Sequence, residues 1–309
     1  MLTRALMAGT ALSLTLAAPM AQAHGTRYPL AQGPMTRVSD NADFAVSVTE
    51  GGALPFLALA LMRGNQVDEL LAETAAKMGD RPWGVGLLGF VPQALREEQC
   101  AAIWKHKPPF ALIAGGRPDQ AAAFEERGIP SYIHVPAPQL LKMYLEQGAR
   151  RFVFEGRECG GHIGPIASFP LWEQMIEVLL AEVPAKKASE VHVFFAGGVS
   201  DARSGAMLAV LTAKLAAHGI RVGALMGTAY LFTREIVESG AIVQGFQDEA
   251  IACRNTQSLE TGPGHSTRCA DTAFARDFHA LRRQLIAEGV PAEEIRDRLE
   301  DLNLGRLRL

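Results

Sequence analysis

The feature that most constrains this chain is an eightfold alternation of short apolar runs with amphipathic stretches. The runs are Tyr28–Gln32, Ala53–Leu57, Trp83–Leu87, Phe110–Ile113, Ser131–Val135, Arg151–Glu155, Val191–Ala196 and Arg221–Met226. Helical patterns separate them: Asn41–Glu50, Gln66–Met78, Pro92–His106, Pro118–Arg127, Pro138–Gln147, Ser168–Glu182 and Asp201–Ala217, with a short one at Thr233–Ser239. Runs that are apolar throughout suit a parallel sheet covered on both faces. Eight βα units over roughly two hundred residues make a (β/α)8 TIM barrel, an α/β fold. An open doubly wound sheet would show the same alternation, but no GxGxxG follows the first run. The 309 residues, 48% hydrophobic and 20% charged, can bury the core that such a barrel needs.

The expected organisation is a barrel over 25–239 and a C-terminal extension over 240–309. Gly240 to Asp271 reads as irregular and polar, and helices follow at Thr272–Glu288 and Ala292–Leu299. The extension is expected to pack near the barrel mouth. Residues 1–24 read as a leader or a linker remnant. Arg4, the apolar run Ala5–Ala18 and Ala21-Gln22-Ala23 match a secretory signal with its cleavage site, so export is one reading and an inter-domain remnant of a cytoplasmic protein the other. A net charge of −3 argues against a nucleic-acid partner, and the apolar run is too short for a membrane span. Four cysteines without a CxxC pair suit free thiols in a reducing compartment.

Barrels carry their chemistry at the C-terminal ends of the strands. There the glycines concentrate: Gly33-Pro34-Met35, Gly115-Gly116, Gly160-Gly161-His162, Gly197-Gly198 and Gly227-Thr228. Gly197, Gly198, Gly227 and Thr228 follow the seventh and eighth runs, where barrels commonly bind phosphate on backbone N–H groups. Glycines that merely make tight turns would look alike at one loop; two adjacent late loops favour the cradle. The segment Glu155 to Pro165 is the densest in chemistry, with two carboxylates, Cys159 and His162 on one loop. His162 is the candidate acid/base. Cys159 as a nucleophile has no orienting partner, and no second cluster completes a metal site. His134 and His192 read as core or mouth residues, His106, His218 and His279 as surface residues on helices, and His265 as a turn-shaping residue or a cap on the site.

These motifs, in this order, resemble the nitronate monooxygenase (2-nitropropane dioxygenase) family, which includes FMN-dependent enoyl reductases. Pro29-Leu-Ala-Gln-Gly-Pro-Met35 is similar to the family's Pro-Ile-Ile-Gln-Ala-Pro-Met. Pro82-Trp-Gly-Val-Gly86 corresponds to Pro-Phe-Gly-Val-Asn, and Glu158-Cys-Gly-Gly-His162 to Glu-Ala-Gly-Gly-His. Ala196-Gly-Gly-Val199 and Met226-Gly-Thr228 complete the set over 27–239. Gly25–Asp40, Leu112–Gln120 and Ala250–Asp271 further resemble a flavin domain of modular polyketide synthases, akin to the enoyl reductase of polyunsaturated fatty acid synthases.

The resemblance implies FMN, reduced by NAD(P)H. Gly33, Pro34, Met35, Gly160 and Gly161 would lie against the flavin ring, with Gly86 and Met226 as further cofactor-binding positions. Gly197, Gly198, Gly227 and Thr228 would hold its phosphate. His162 would act as acid/base, and no metal is implied. The expected substrate is a small molecule or an acyl-carrier-protein-bound enoyl thioester, with other synthase domains as partners. Nitronate oxidation is one alternative; a flavin-free docking domain is another. Two positions depart from the family pattern: Gly86 stands where the family has Asn, and Cys159 where it has Ala.

Overall fold

The computed structural model describes residues 19–262 and 265–304. Eight parallel strands close into a barrel: β1 (Leu30–Gln32), β2 (Leu54–Ala58), β3 (Gly84–Leu88), β4 (Phe110–Ala114), β5 (Ser131–His134), β6 (Arg151–Glu155), β8 (His192–Ala196) and β9 (Arg221–Met226). Closure is made by β1 on β9, with Ala31 opposite Leu225. All eight expected runs are strands, displaced by a residue or two at their ends. The two-residue strand β7 (Gly161–His162) lies in the loop after β6 and outside the barrel sheet.

Alternation along each strand divides the apolar residues into two sets. Phe152, Phe154, Val193, Phe195, Val222 and Ala224 point outward and pack under the helices. Leu54, Phe56, Leu112, Tyr132, Val153, Phe194 and Ala196 point inward and fill the barrel. Because both faces are buried, the strands read as unbroken apolar runs.

Around the barrel lie α1 (Ala42–Glu50), α2 (Gly64–Met78), α3 (Gln93–His106), α4 (Pro118–Glu125), α5 (Pro138–Glu146), α6 (Ser168–Glu182), α7 (Ala202–Leu211), α8 (Ala213–His218) and α9 (Glu235–Glu238). Local chemistry sets their limits. Pro118 and Pro138 occupy the first turns of α4 and α5, where a missing N–H costs nothing. The Asn41 side chain accepts from Phe44 N at 2.9 Å to cap α1, and its amide donates to Ser239 O at 3.0 Å. One residue thereby ties the first helix to the last of the ring. Asp201–Ala217, expected as a single helix, is broken at Thr212, whose hydroxyl donates back to Leu208 O at 2.9 Å. Such back-bonding bends a helix.

Two expectations are corrected here. Gly240–Asp271 is not irregular: it forms α10 (Gln244–Ala252) and a hairpin of β10 (Thr256–Gly262) and β11 (His265–Ala270). Its strands are polar because little of β10 is buried: Leu259 packs inward against Phe278, Leu285 and Leu299, and Thr261 is also covered. Those partners come from α11 (Ala273–Ala287) and α12 (Ala292–Leu304), the two helices expected at the C-terminus.

The second correction concerns residues 19–24, grouped above with the leader. They form helical turns whose Met20 and His24 are buried, with Met20 among the residues that fill the barrel. A boundary at Gly25 therefore cuts through packed structure. The rest of the leader-like stretch, residues 1–18, lies outside the described residues. Among the described residues no helix is long and apolar enough to cross a membrane.

Candidate functional site

The C-terminal ends of the strands bring the expected glycine loops together. A Cβ on Gly160 would stand 2.7 Å from Thr228 Oγ1, so the β6 and β9 loops touch. One on Gly197 would meet Cys159 Sγ at 3.4 Å, one on Gly198 would meet Glu158 Cβ at 3.6 Å, and one on Gly227 would meet Met35 Sδ at 3.7 Å. Gly33, Pro34, Met35, Gly160, Gly197, Gly198, Gly227 and Thr228 thus share one mouth, although up to 195 positions separate Gly33 from Thr228.

Gly197 and Gly198 have φ of 120° and 80°, a left-handed turn that glycine adopts without penalty. Among the described residues, the N–H groups of Gly197, Gly198, Gly227 and Thr228 donate to no backbone acceptor. Successive free amides on such a turn make an anion-binding concavity. These residues therefore fit a phosphate, and a Cβ at Gly198 or Gly227 would make only ordinary van der Waals contact with Glu158 or Met35.

Two members of the expected set behave differently. Gly86 is buried beneath Pro34, whose ring occupies the place of any added side chain. With Pro34 so placed, an added side chain at this position would clash. Met226 points outward into the helix-packed layer, so its side chain does not reach the mouth. Its carbonyl accepts Gly33 N–H at 2.9 Å and braces the first loop against the last.

His162 lies on a strand, where the sequence suggested a flexible loop. It pairs antiparallel with Thr267 of β11, and Gly161 pairs with Arg268. Its side chain is exposed. The extension therefore supplies the strand that holds the candidate acid/base. Arg268 adds a second tie, donating from Nη1 to Glu158 O at 3.0 Å. The Glu158 carboxylate accepts Ser168 N–H at 2.6 Å at the start of α6. Burial pushes the Glu158 carboxyl up, but the Ser168 hydroxyl and amide, with Arg268 nearby, outweigh this and hold it below its ordinary range.

Burial, reinforced by the Glu155 carboxylate, drives the Cys159 thiol far above its ordinary value. It stays protonated near neutrality, so a nucleophilic thiolate is not what this site offers. Its sulfur packs against the apolar filling of the barrel.

One pair went unseen in the sequence. His134 ends β5 and Glu155 ends β6, and His134 Nδ1 lies 2.9 Å from Glu155 Oε2. They are far apart in sequence and on neighbouring strands. The available signal was parity: His134 is two residues beyond inward-facing Tyr132, and Glu155 two beyond inward-facing Val153. The remaining histidines sit elsewhere. His24 and His192 lie within the barrel, while His106 and His218 are on the outer helices. His265 opens β11 backbone to backbone with Gly262, and its side chain lies outside the described residues.

A cleft of about 470 Å³ on the outside of the barrel, lined by Gly64, Asn65, Asp68, Glu98 and Lys105, is remote from the strand ends. Its charges are satisfied by one another or by neighbours: Lys105 pairs with Asp68 at 2.8 Å, and Glu98 with Arg63. Among the described residues no group of His, Cys, Asp and Glu is arranged to hold a metal ion.

Solved structures share this architecture. FabK from Thermotoga maritima superposes with a TM-score of 0.71 at 23% identity, over 89% of this chain and 80% of that one. A nitroalkane oxidase from Streptomyces ansochromogenes gives 0.65 at 20% identity, over 83% and 80%. The enoyl reductase domain of MlnA from the macrolactin biosynthesis cluster of Bacillus amyloliquefaciens gives 0.65 at 14% identity, over 86% and 69%. The chain has the fold of all three.

In sequence, it is 26% identical over 250 residues to (3aS,4S,5R,7aS)-5-hydroxy-7a-methyl-1-oxo-octahydro-1H-indene-4-carboxyl-CoA dehydrogenase of Rhodococcus jostii, covering 77% of this chain and 63% of that protein. The enzyme of the same name from Mycobacterium tuberculosis is 27% identical over 236 residues, covering 74% and 59%. The chain thus spans about three-fifths of the length of these curated relatives. No family model matches it.

Proposed function

We propose that this chain is an FMN-dependent oxidoreductase of the nitronate monooxygenase-like family that reduces enoyl thioesters with electrons from NAD(P)H. The observation that carries the reading is the meeting of the free amides of Gly197, Gly198, Gly227 and Thr228 with Gly33–Met35 and Gly160–His162 in one barrel mouth. The names of the similar proteins support the substrate class: one is an enoyl reductase domain, and the curated relatives act on a CoA thioester.

The backbone amides of Gly197, Gly198, Gly227 and Thr228 would bind the phosphate. Gly33, Pro34, Met35, Gly160 and Gly161 would line the ring, with Gly86 supporting Pro34 from below. FMN, when bound, supplies the two-electron hydride chemistry. His162 would give a proton to the α-carbon of the enoyl chain or polarise the thioester carbonyl, at the exposed face of β7. The β10–β11 hairpin would fix that imidazole through the Thr267 pairing. The substrate reaches the site as a small thioester or on an acyl carrier, within a larger synthase on the cytoplasmic reading.

The test is a pair of anaerobic half-reactions. NADPH should bleach the flavin without any nitro compound, and an enoyl thioester should restore the colour. Bleaching by a nitronate alone would favour the nitronate-oxidising alternative. A chain left colourless after FMN soaking would indicate a docking domain.

A further inference from the structure

The arginines around the mouth fall into two groups. After β2 and β4 stand Arg63 and Arg117, and each is paired: Arg63 with Glu98, and Arg117 with Asp119 at 3.0 Å. After β1, β6, β8 and β9 stand Arg37, Arg157, Arg203 and Arg234. All four are exposed, and among the described residues their guanidinium groups make no ion pair or hydrogen bond.

The unpaired four follow consecutive strands of the closed barrel, β6, β8, β9 and β1. Their loops touch one another: a Cβ on Gly198 would meet Glu158, one on Gly160 would meet Thr228, and one on Gly227 would meet Met35. The arginines therefore form an arc on one side of the mouth, the side that carries the glycine cradle. An exposed arginine needs no partner for stability, so a single one would say nothing. Arg254 and Arg283, on the extension, are such cases.

Three features set the arc apart from an ordinary solvated face. The carboxylates beside it are engaged elsewhere: Glu158 accepts Ser168 N–H at 2.6 Å, and Asp201 accepts Ser204 N–H at 2.8 Å. The arc is thus a local positive field on a chain whose net charge is −3. Residue choice is the second feature. None of the eight loops from a barrel strand to its helix contains a lysine. The guanidinium fork matches phosphate oxygens two at a time, whereas an ammonium is a point charge. The third feature is the backbone at Arg37, whose φ of 63° lies in the left-handed region that few non-glycine residues adopt. Met35 O accepts Val38 N–H at 3.0 Å and Ser39 N–H at 2.9 Å, and Ser39 Oγ accepts Met35 N–H at 2.8 Å, so the turn is held closed. A held, strained turn that presents an unpaired cation at a site is the pattern of a ligand contact.

We infer that Arg37, Arg157 and Arg203, with Arg234 on the adjoining loop, bind the phosphates of the thioester substrate's handle. The chemistry recognised is a phosphorylated pantetheine, which a coenzyme A ester and a carrier-bound ester have in common. This rests on the flavin reading above, which puts the reacting thioester in this mouth. Two anions then have two receptors: backbone amides in the mouth for the cofactor's phosphate, and guanidinium groups at the rim for the substrate.

The experiment is a binding titration and needs no turnover. Calorimetry on the full chain, with FMN and again without it, measures affinity for coenzyme A, 4′-phosphopantetheine and pantetheine. Coenzyme A should bind about thirtyfold more tightly than pantetheine, which has no phosphate, and the preference should shrink as salt is raised. Arg37→Gln, Arg157→Gln and Arg203→Gln should each weaken coenzyme A binding by about threefold, and the triple variant by about thirtyfold, with pantetheine binding and Tm unaltered. Arg283→Gln, at an exposed position on α11, is the control and should bind coenzyme A as wild type does. Binding of 4′-phosphopantetheine within about threefold of coenzyme A assigns the arc to the phosphate that a carrier-bound ester also has. Tight binding of coenzyme A alone assigns it to the adenosine phosphates of a coenzyme A ester.

Equal wild-type affinity for coenzyme A and pantetheine overturns the inference. So does a loss in Arg283→Gln as large as in Arg37→Gln, which marks general charge attraction. Loss of FMN or NADPH affinity in the triple variant, with coenzyme A binding intact, also overturns it and gives the arginines to that other ligand. A wild-type chain that takes up no FMN yet shows this pattern for coenzyme A removes the flavin reading and keeps the phosphate site. FMN uptake without discrimination between coenzyme A and pantetheine removes the phosphate site alone.

Discussion

At the lower end of the barrel the polar side chains close on one another. His24 Nε2 meets the Tyr132 hydroxyl at 2.7 Å, that hydroxyl meets His192 Nδ1 at 3.3 Å, and His192 Nε2 faces Arg221 at 3.0 Å. His24 stacks on Phe194 with ring centroids 5.4 Å apart, and Met20 is fully buried beside them. At the upper end the reverse holds. Among the described residues the amides of Gly197, Gly198, Gly227 and Thr228 donate to no backbone acceptor, His134 Nε2 has no partner, and His162 is exposed. One end has its polar groups spent on stability and the other has them free for a ligand. This is the division expected between the bottom and top of a barrel enzyme.

Substitutions should therefore separate by end. The largest effect is expected from His162→Ala, which should slow enoyl turnover by about 10²–10⁴-fold. FMN content should be unchanged, because the imidazole is assigned no part in holding phosphate. Stopped-flow measurement of the two half-reactions checks this; normal reoxidation of reduced flavin by substrate would remove His162 from the mechanism. Next is Gly227→Asp. Gly227 has negative φ, and an added Cβ would make only ordinary van der Waals contact with Met35, so a side chain there adds no left-handed strain. A carboxylate in the cradle should weaken FMN binding by about a hundredfold through like-charge repulsion, with Tm nearly constant. Gly197 and Gly198 are poorer probes, since their left-handed φ would add backbone strain to any loss of binding.

The lower end should respond in the opposite sense. Tyr132→Phe removes the hydroxyl shared by His24 and His192 and should cost about 1–3 kcal/mol of stability, read from denaturant unfolding, while FMN affinity holds. A change in affinity larger than the change in stability would break the division between the ends.

The smallest effect is a pH dependence. Burial holds His24 neutral and lowers its pKa to about 4, and burial with nearby Arg151 lowers His192 to about 3. Above pH 6.5 both the folded and unfolded chains are neutral at these positions. As pH falls from 6.5 toward 4, the unfolded chain binds protons that the folded chain refuses, and stability is lost. Tm should decline across that window, and His24→Phe should make the decline shallower. An unaltered slope would show that the acid response arises elsewhere.

The barrel was plain in the sequence, because both faces of each strand are buried and every run has an apolar centre. The phosphate loops were legible there too, since glycines cluster after the two last strands. Other features depended on contacts between distant segments. Thr256–Gly262 is polar and becomes a strand through pairing with β11 and packing of Leu259 under α11 and α12. Residues 19–24 resembled a cleavage region because Ala and Met suit both a leader and a small plug in a barrel. His134 and Glu155 were each visible, but their meeting follows from strand adjacency and inward parity combined.

The central claim is that the mouth holds one FMN. It is tested most directly by titrating the full chain with FMN and identifying the flavin released on heating. The account predicts saturation at about one FMN per chain, with FMN as the flavin recovered, because the two phosphate loops leave no motif for an adenosine half. Recovery of FAD as the main flavin, or no uptake at all, would contradict it.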